Sequence, residues 1–286
     1  MKKLTALALT LCIILSAFAL TACGDKTLAD STPPAGEQTG NKTDNETDNK
    51  TEGSVYETVA AAIEKTLKAK SFEANLSSVL KTDLMGNKFE TKAEGNVKAT
   101  AADTDKPKAF FSGKAVMEGY EMAQDYYYDG EWKYFGSEEM GLYKSQVSYA
   151  EFAKEIGAPQ TVIVTLPEAI FSNAQSKNND DGSLTVTLTV DEANMETLYK
   201  DTITAVVQDV VGQDLNQVVT KEATIEIIVA DGYVRDYKLT FTCEITAGSD
   251  KVTYEVNDMV TFVSCDKEVT ITAPENLDQY YEMDWG

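Results

Sequence analysis

The chain has 286 residues, with 25 basic against 47 acidic side chains, a formal charge of −22 and no histidine. A surface this acidic disfavours nucleic acid and anionic lipid headgroups as electrostatic partners. The lack of histidine excludes Ser-His-Asp and Cys-His catalysis and histidine-ligated zinc, and there is no Walker loop, G-x-G-x-x-G or G-x-S-x-G.

Lys2 and Lys3 precede an almost wholly apolar run, Leu4 to Ala22. That pattern reads as a secretory signal peptide over residues 1–22. The run is also near the lower limit of a membrane span, so an uncleaved anchor is the competing reading. Leu20-Thr21-Ala22-Cys23 resembles the bacterial lipobox, in which small residues admit the peptidase and the cysteine thiol is alkylated with diacylglycerol. The resemblance implies that Cys23 becomes the lipid-bearing first residue, held at the extracytoplasmic face of a bacterial cell membrane. Two acyl chains give stable anchoring where one is marginal. Without residues 1–22 the charge is −24, so the lipid, not electrostatics, must hold the protein to an anionic membrane.

Residues 23–53 form a tether after the lipidated cysteine. They include Pro33-Pro34 and the degenerate repeat "TDNETDNKTEG", with almost no apolar side chains. Such a segment cannot bury enough surface to offset its ordering entropy and is expected to be disordered. As a flexible coil it spans roughly 30 Å. Its Asn-x-Thr triplets at Asn41, Asn45 and Asn49 look like glycosylation acceptors, though linker composition is the simpler account.

Residues 54–286 remain, enough for one large β-rich domain or two small ones with a sizeable core. Ser54-Val55-Tyr56-Glu57 is a capping box, and Val55, Val59, Ala62, Ile63, Thr66 and Leu67 recur at helical spacing, predicting a helix over 54–70. Strand-like alternation follows over about 71–84, 88–100 and 108–118, with "MGNK" (85–88) as the first turn. "YYYDGEWKYF" (126–135) reads as a hairpin with a two-residue type I′ turn at Asp129-Gly130. That register sets Tyr127 opposite Trp132 on one face, with Tyr126 and Tyr128 on the other. Such an aromatic patch suits sugar stacking, but it is more often hairpin glue.

Ser148-Tyr149-Ala150-Glu151 is a second capping box, opening a short helix that stops near Gly157. Thr165-Leu166-Pro167-Glu168 is a third, with proline at the favoured first position. "NNDDG" (178–182) is acidic but lacks EF-hand ligand spacing, so it reads as a turn. Leu184, Val186, Leu188 and Val190 then make a half-buried strand. Asp191 is expected to cap a long helix with the stripe Met195, Tyr199, Ile203, Val206 and Val210. Its polar face lacks the basic residues of interfacial helices. The remaining third reads as a meander over about 221–230, 233–246, 252–264 and 268–272. Tyr237, Leu239, Phe241, Cys243 and Ile245 line one face of it and polar side chains the other. If 233–246 pairs with 252–264 across "AGSD", residue 243 lies opposite about 254 and far from 265. Cys243 and Cys265 are therefore expected to be free thiols, and they are too few for a thiolate metal site.

These elements predict an α+β fold: a single strongly curved antiparallel sheet, a half-open barrel, with helices covering its apolar concave face. The order of elements resembles the LolA/LolB–LppX group of lipoprotein carriers. The likeness rests on Leu20–Cys23, the helix from Ser54, the "YYYDGEWKYF" hairpin and "VADGYVRDYKLTF" (229–241). It implies a cavity between sheet and helices that takes an acyl chain or lipoprotein-like amphiphile. Its candidate lining is Tyr127, Trp132, Leu188, Ile227, Leu239 and Phe241 from the sheet and Ile203 and Val206 from the long helix. No cofactor, metal or nucleic acid is expected, and the sequence names no protein partner. The competing readings are a non-enzymatic surface scaffold with a filled core, separated from a carrier by cavity volume, and a hydrolase using paired carboxylates, for which nothing places two acids in one pocket.

Overall fold

The computed structural model describes residues 52–283, apart from 85, 105, 138–140, 196–197, 199–216 and 248–249. The expected signal peptide, Cys23 and the expected tether up to residue 51 lie outside the described residues, as do Ile203 and Val206, whereas Glu52 and Gly53, read as tether, begin the first helix.

Helix α1 (Glu52–Leu67) leads into two meanders. The first is β1 (Ser71–Leu84), β2 (Asn87–Thr100), β3 (Lys108–Met117), β4 (Tyr120–Tyr128), β5 (Trp132–Ser137) and β6 (Gly141–Gln146). The second is β7 (Gln175–Asn178), β8 (Leu184–Val190), β9 (Gln217–Ala230), β10 (Tyr233–Ala247) and β11 (Asp250–Cys265). β1 pairs antiparallel with β11, fusing the meanders into one curved, unclosed sheet. With β12 (Tyr281–Glu282) added in parallel to β6, its order is β12-β6-β5-β4-β3-β2-β1-β11-β10-β9-β8-β7.

β6 and β7 lie near opposite edges, so the connection between them must cross a face of the sheet. It carries α2 (Tyr149–Glu155), α3 (Pro159–Val162) and a 3₁₀ turn (Glu168–Asn173). Phe152, Ala153, Val162, Ile170 and Phe171 from this connection, with Val55, Val59, Ala62 and Ile63 from α1, are buried against one sheet face and form the core with it. The Ser148 box closes as expected. The Ser148 hydroxyl accepts from the Glu151 N–H at 3.2 Å, and the Glu151 carboxylate accepts from the Ser148 N–H at 2.7 Å.

α1 is pinned where β10 bulges. The register slips between Val234 and Asp236, and the buried Thr66 hydroxyl accepts from the Val234 N–H at 2.8 Å while donating to the Ala62 carbonyl at 2.7 Å. Lys65 meanwhile sits 3.8 Å above the Tyr233 ring.

Several expectations are corrected. α1 begins at Glu52, so Ser54 falls inside the first turn, not at its cap. Thr165 caps nothing: the residue before the 3₁₀ turn is Pro167, with no side-chain cap. No strand forms over 268–272, because β1 already occupies the free edge of β11. The hairpin register is two residues longer than expected. Tyr127 faces Tyr134 and Tyr128 faces Lys133. Asp129 is the cause: its Oδ1 accepts from the N–H groups of Glu131 at 3.0 Å and Trp132 at 2.8 Å, and Oδ2 from the Tyr134 hydroxyl at 2.9 Å. Gly130 takes a positive φ but Asp129 does not, so a type I′ turn is excluded. At Asp231-Gly232, by contrast, φ is 54° and 76°, and that two-residue turn forms as read.

The middle of the first meander is thinned. Gly95 and Gly113 pair across β2 and β3, and the Phe111 ring lies over both. A Cβ on Gly95 would come within 2.6 Å of that ring, and one on Gly113 would press into it. Gly113→Ala should therefore cost about 1–3 kcal/mol by overpacking, and Phe111→Leu in the same chain should recover much of it. Urea melts of the two single variants and the double variant check this. Additive losses would show that ring and glycines are not coupled.

Candidate functional site

The core face of the sheet is its concave face, and strict alternation decides which side chains reach it. One row can be followed strand by strand: Leu188, Ile225, Leu239, Asp258, Ser78, Ala93, Ala115 and Met122, each paired with the next. The adjoining rows run through Val186, Ile227, Tyr237, Val260 and Leu76 on one side, and Val190, Ala223, Phe241, Val256 and Leu80 on the other. The face is apolar over most of its width.

Burial is graded along β1 and β4, while Cys243, Tyr254 and Val252 of β10 and β11 stay buried to the rim. Toward the end carrying Phe72, Ala99, Ala109 and Tyr128, the concave side chains are buried under the helices. Toward the β1–β2 and β3–β4 turns, apolar side chains of the same face emerge: Leu84 is 37% exposed, Met122 44% and Tyr120 75%. β8 ends and β9 begins at this same end. There Asp191 Oδ1 accepts from the Asn194 N–H at 2.9 Å, capping a helical turn that buries Met195.

Four of the eight sequence-derived lining candidates share the concave face: Leu188, Ile227, Leu239 and Phe241. The first three are buried and Phe241 is partly exposed. Tyr127 and Trp132 face the other way, since their neighbours Tyr126 and Tyr128 point into the core. Tyr127 packs 5.7 Å from Tyr134, which meets Tyr280 edge-on at 5.3 Å. The C-terminal segment thus covers these rings, and burial raises the Tyr134 pKa to about 12. Being only 5% and 7% exposed, Tyr127 and Tyr134 offer no stacking platform. Trp132 is partly exposed, with the Lys144 ammonium 4.7 Å above its ring.

Two charged side chains stand on the concave face within the rows above and beside Tyr128. Lys133 is buried and satisfied: its ammonium donates to both Glu155 carboxylate oxygens at 2.8 and 2.6 Å and lies 4.8 Å from the Phe135 ring. Asp258 is different. Its Oδ1 accepts from the Ser78 hydroxyl at 2.6 Å, and the apolar wall around its carboxyl pushes its pKa up to about 7. Neither Asp258 nor Ser78 was anticipated as functional. The signal was parity: Tyr254, Val256, Asp258, Val260 and Phe262 alternate, so the aspartate must point the same way as its apolar neighbours.

Among the described residues, two small hollows border this face. One of about 20 Å³ is lined by Leu76, Ser78, Ala93, Gly95, Phe111 and Ile156. The other, about 70 Å³, lies under α1 near Thr66, Phe72, Tyr149, Gln160 and Phe262. Cys243 lies opposite Tyr254, as the sequence predicts, and both it and Cys265 are buried free thiols. Burial pushes each thiol up to about 11, so neither is a ready nucleophile. In "NNDDG", Asp181 accepts from the Ser183 hydroxyl at 2.6 Å and pairs with Arg235 at 2.9 Å, which holds its carboxyl well below the usual range.

No protein-family model matches the chain, and no curated protein matches it in sequence. Among solved structures, it is similar to LprF from Mycobacterium bovis at 15% identity and a TM-score of 0.39, over 78% of this chain and 97% of that one. It is also similar to lipovitellin, described for its lipid–protein interactions, at 8% identity and a TM-score of 0.32, over 72% of this chain and 26% of that one. A DUF1329 family protein from Desulfovibrio piger follows at 7% identity and a TM-score of 0.24, over 77% and 94%.

Proposed function

We propose that this protein is a lipid-anchored surface lipoprotein that holds the apolar chain of an amphiphile against the concave face of its open sheet, without catalysis. One observation carries the reading: the apolar face is covered by helices at one end and emerges as Leu84, Met122 and Tyr120 at the other. A packed core has no need to extend an apolar surface to that rim. Anchoring rests on the lipobox-like Leu20–Cys23. Cys23→Ala should release the protein from membranes or leave it as an unprocessed precursor; mature-size protein still in the membrane fraction would overturn the anchoring.

A filled-core interaction module is the second reading. It is favoured by the full burial of Leu188, Ile225 and Ile227 and, among the described residues, by hollows of about 70 and 20 Å³, each well below the several hundred cubic ångströms of a ligand pocket. Leu239→Trp separates the two. On a ligand-bearing face it displaces a bound fluorescent long-chain alcohol or phospholipid probe and costs less than about 1 kcal/mol of stability. In a filled core it overpacks by about 1–3 kcal/mol. Absence of probe uptake together with a sharply lowered melting point would sink the carrier reading.

A further inference from the structure

We propose that Asp258 and Ser78 form a polar subsite in the middle of the concave face, and that it takes the primary ammonium group of a long-chain amphiphile. This rests on the carrier reading above and specifies its ligand.

The position of Asp258 is the first argument. Along β11 it is flanked by Val256 and Val260. Across to β10 it faces Leu239, with Tyr237 and Phe241 on the diagonals. Across to β1 it faces Ser78, with Leu76 and Leu80 on the diagonals. Eight side chains thus surround the carboxyl on its own face, and none is a cation. A charged side chain walled in by apolar neighbours ordinarily has a counter-charge, as Lys133 has Glu155. Among the described residues Asp258 receives the Ser78 hydroxyl instead.

Access is the second argument. Asp258 and its neighbours Val256 and Phe241 are each partly exposed, unlike Leu239 and Leu188 in the same row. The small hollow beside Ser78 adjoins this site. From Asp258 to Val252, near the rim, β11 offers about 20 Å of wall at the usual rise per residue, enough for an alkyl chain of a dozen carbons or more. Of the inward side chains on that path, Val256 is partly exposed and Tyr254 and Val252 are buried; they lie beside Leu80, Thr82 and Leu84 of β1.

The chemistry follows from charge. An ammonium supplies the counter-charge that none of the eight described neighbours provides, and three donors. A carboxylate headgroup would set two like charges together in a poorly solvated site. Burial raises the Asp258 pKa to about 7, so the free site holds a carboxyl that is readily ionised by an arriving cation. The other titratable groups resolved on β10 and β11 nearby, Cys243 and Tyr254, are held up at about 11 and 12 and stay neutral over the same range.

The test is native mass spectrometry of the full chain released from detergent, titrated with dodecylamine, 1-dodecanol and dodecanoic acid. At about pH 8, dodecylammonium should bind at least about tenfold more tightly than dodecanol, with dodecanoate weakest. Asp258→Asn should remove that preference while dodecanol binding persists. In the unsubstituted protein, lowering the pH to about 5.5 should also remove it, independently of whether the variant folds. If dodecylammonium binds no better than dodecanol, or its preference survives Asp258→Asn, the subsite is wrong and the carrier reading stands. If none of the three binds, both fail.

Discussion

Replacing Asp258 with asparagine should stabilise the protein above pH 7 by about 2–4 kcal/mol and change little near pH 4. The carboxyl is lifted from an ordinary 3.8 to about 7 by burial, against the smaller opposing effect of the Ser78 hydrogen bond. A raised acid means that the folded state binds its proton more tightly than the unfolded chain does. Below about pH 4 both states carry the proton and the site contributes no penalty. Between about 4 and 7 the unfolded chain ionises first, so stability falls with rising pH. Above 7 both are ionised and the penalty is complete. Asparagine keeps the shape and the acceptor for Ser78 but never ionises. The check is the difference between wild-type and variant urea midpoints at about pH 4, 6 and 8, which cancels the titration of every other carboxyl. A variant less stable than wild type at pH 8 would show that the carboxylate has a favourable charged partner.

Phe152→Ala should cost about 3–5 kcal/mol, a large share of the total stability of an ordinary domain. Phe152 is fully buried. Its ring stacks on Tyr128 at a centroid distance of 5.0 Å and lies 6.4 Å from Tyr149. It is the side chain by which α2 grips β4 as the connection crosses from β6 to β7. Truncation loses the transfer free energy of a phenyl ring and leaves a void lined by two tyrosines. Phe152→Leu refills most of that volume and should cost nearer 1 kcal/mol. Tyr281→Ala, at a ring 73% exposed, should stay within about 0.5 kcal/mol. Denaturant melts rank the three; a loss below about 1 kcal/mol for Phe152→Ala would mean that the crossing connection does not hold the core.

The half-barrel was legible where a local rule decides the outcome. β1 and β8 have the limits their alternation predicts, and β10 turns at Asp231-Gly232 because both residues can take positive φ. The concave set Leu188, Ile227, Leu239 and Phe241 came from the same alternation. What escaped depends on contacts distant in sequence or on side-chain hydrogen bonds. Asp129 reset the register of its hairpin through bonds that no dipeptide rule encodes. Tyr127 and Trp132 were assigned to the cavity because their face was undetermined, and only the packing of Tyr126 and Tyr128 into the core settles it. The strand expected at 268–272 failed because β1, nearly two hundred residues earlier, takes its place. Asp258 could have been found by counting in twos.

The seam between β1 and β11 has a kinetic consequence. Residues 71–84 must wait for residues 250–265 before either strand has its second neighbour. A chain emerging from its N-terminus can build β1 to β6 early, because each joins the next through a short turn. The outer side of β1 then stays an unpaired edge until nearly the whole polypeptide has appeared. Such an edge is a template for pairing with other chains, and closure over so long a separation is slow. The N-terminal meander is therefore the half most in need of a holding chaperone during synthesis. Destabilising β11 should raise aggregation of newly made protein before it measurably lowers the melting point of the folded form.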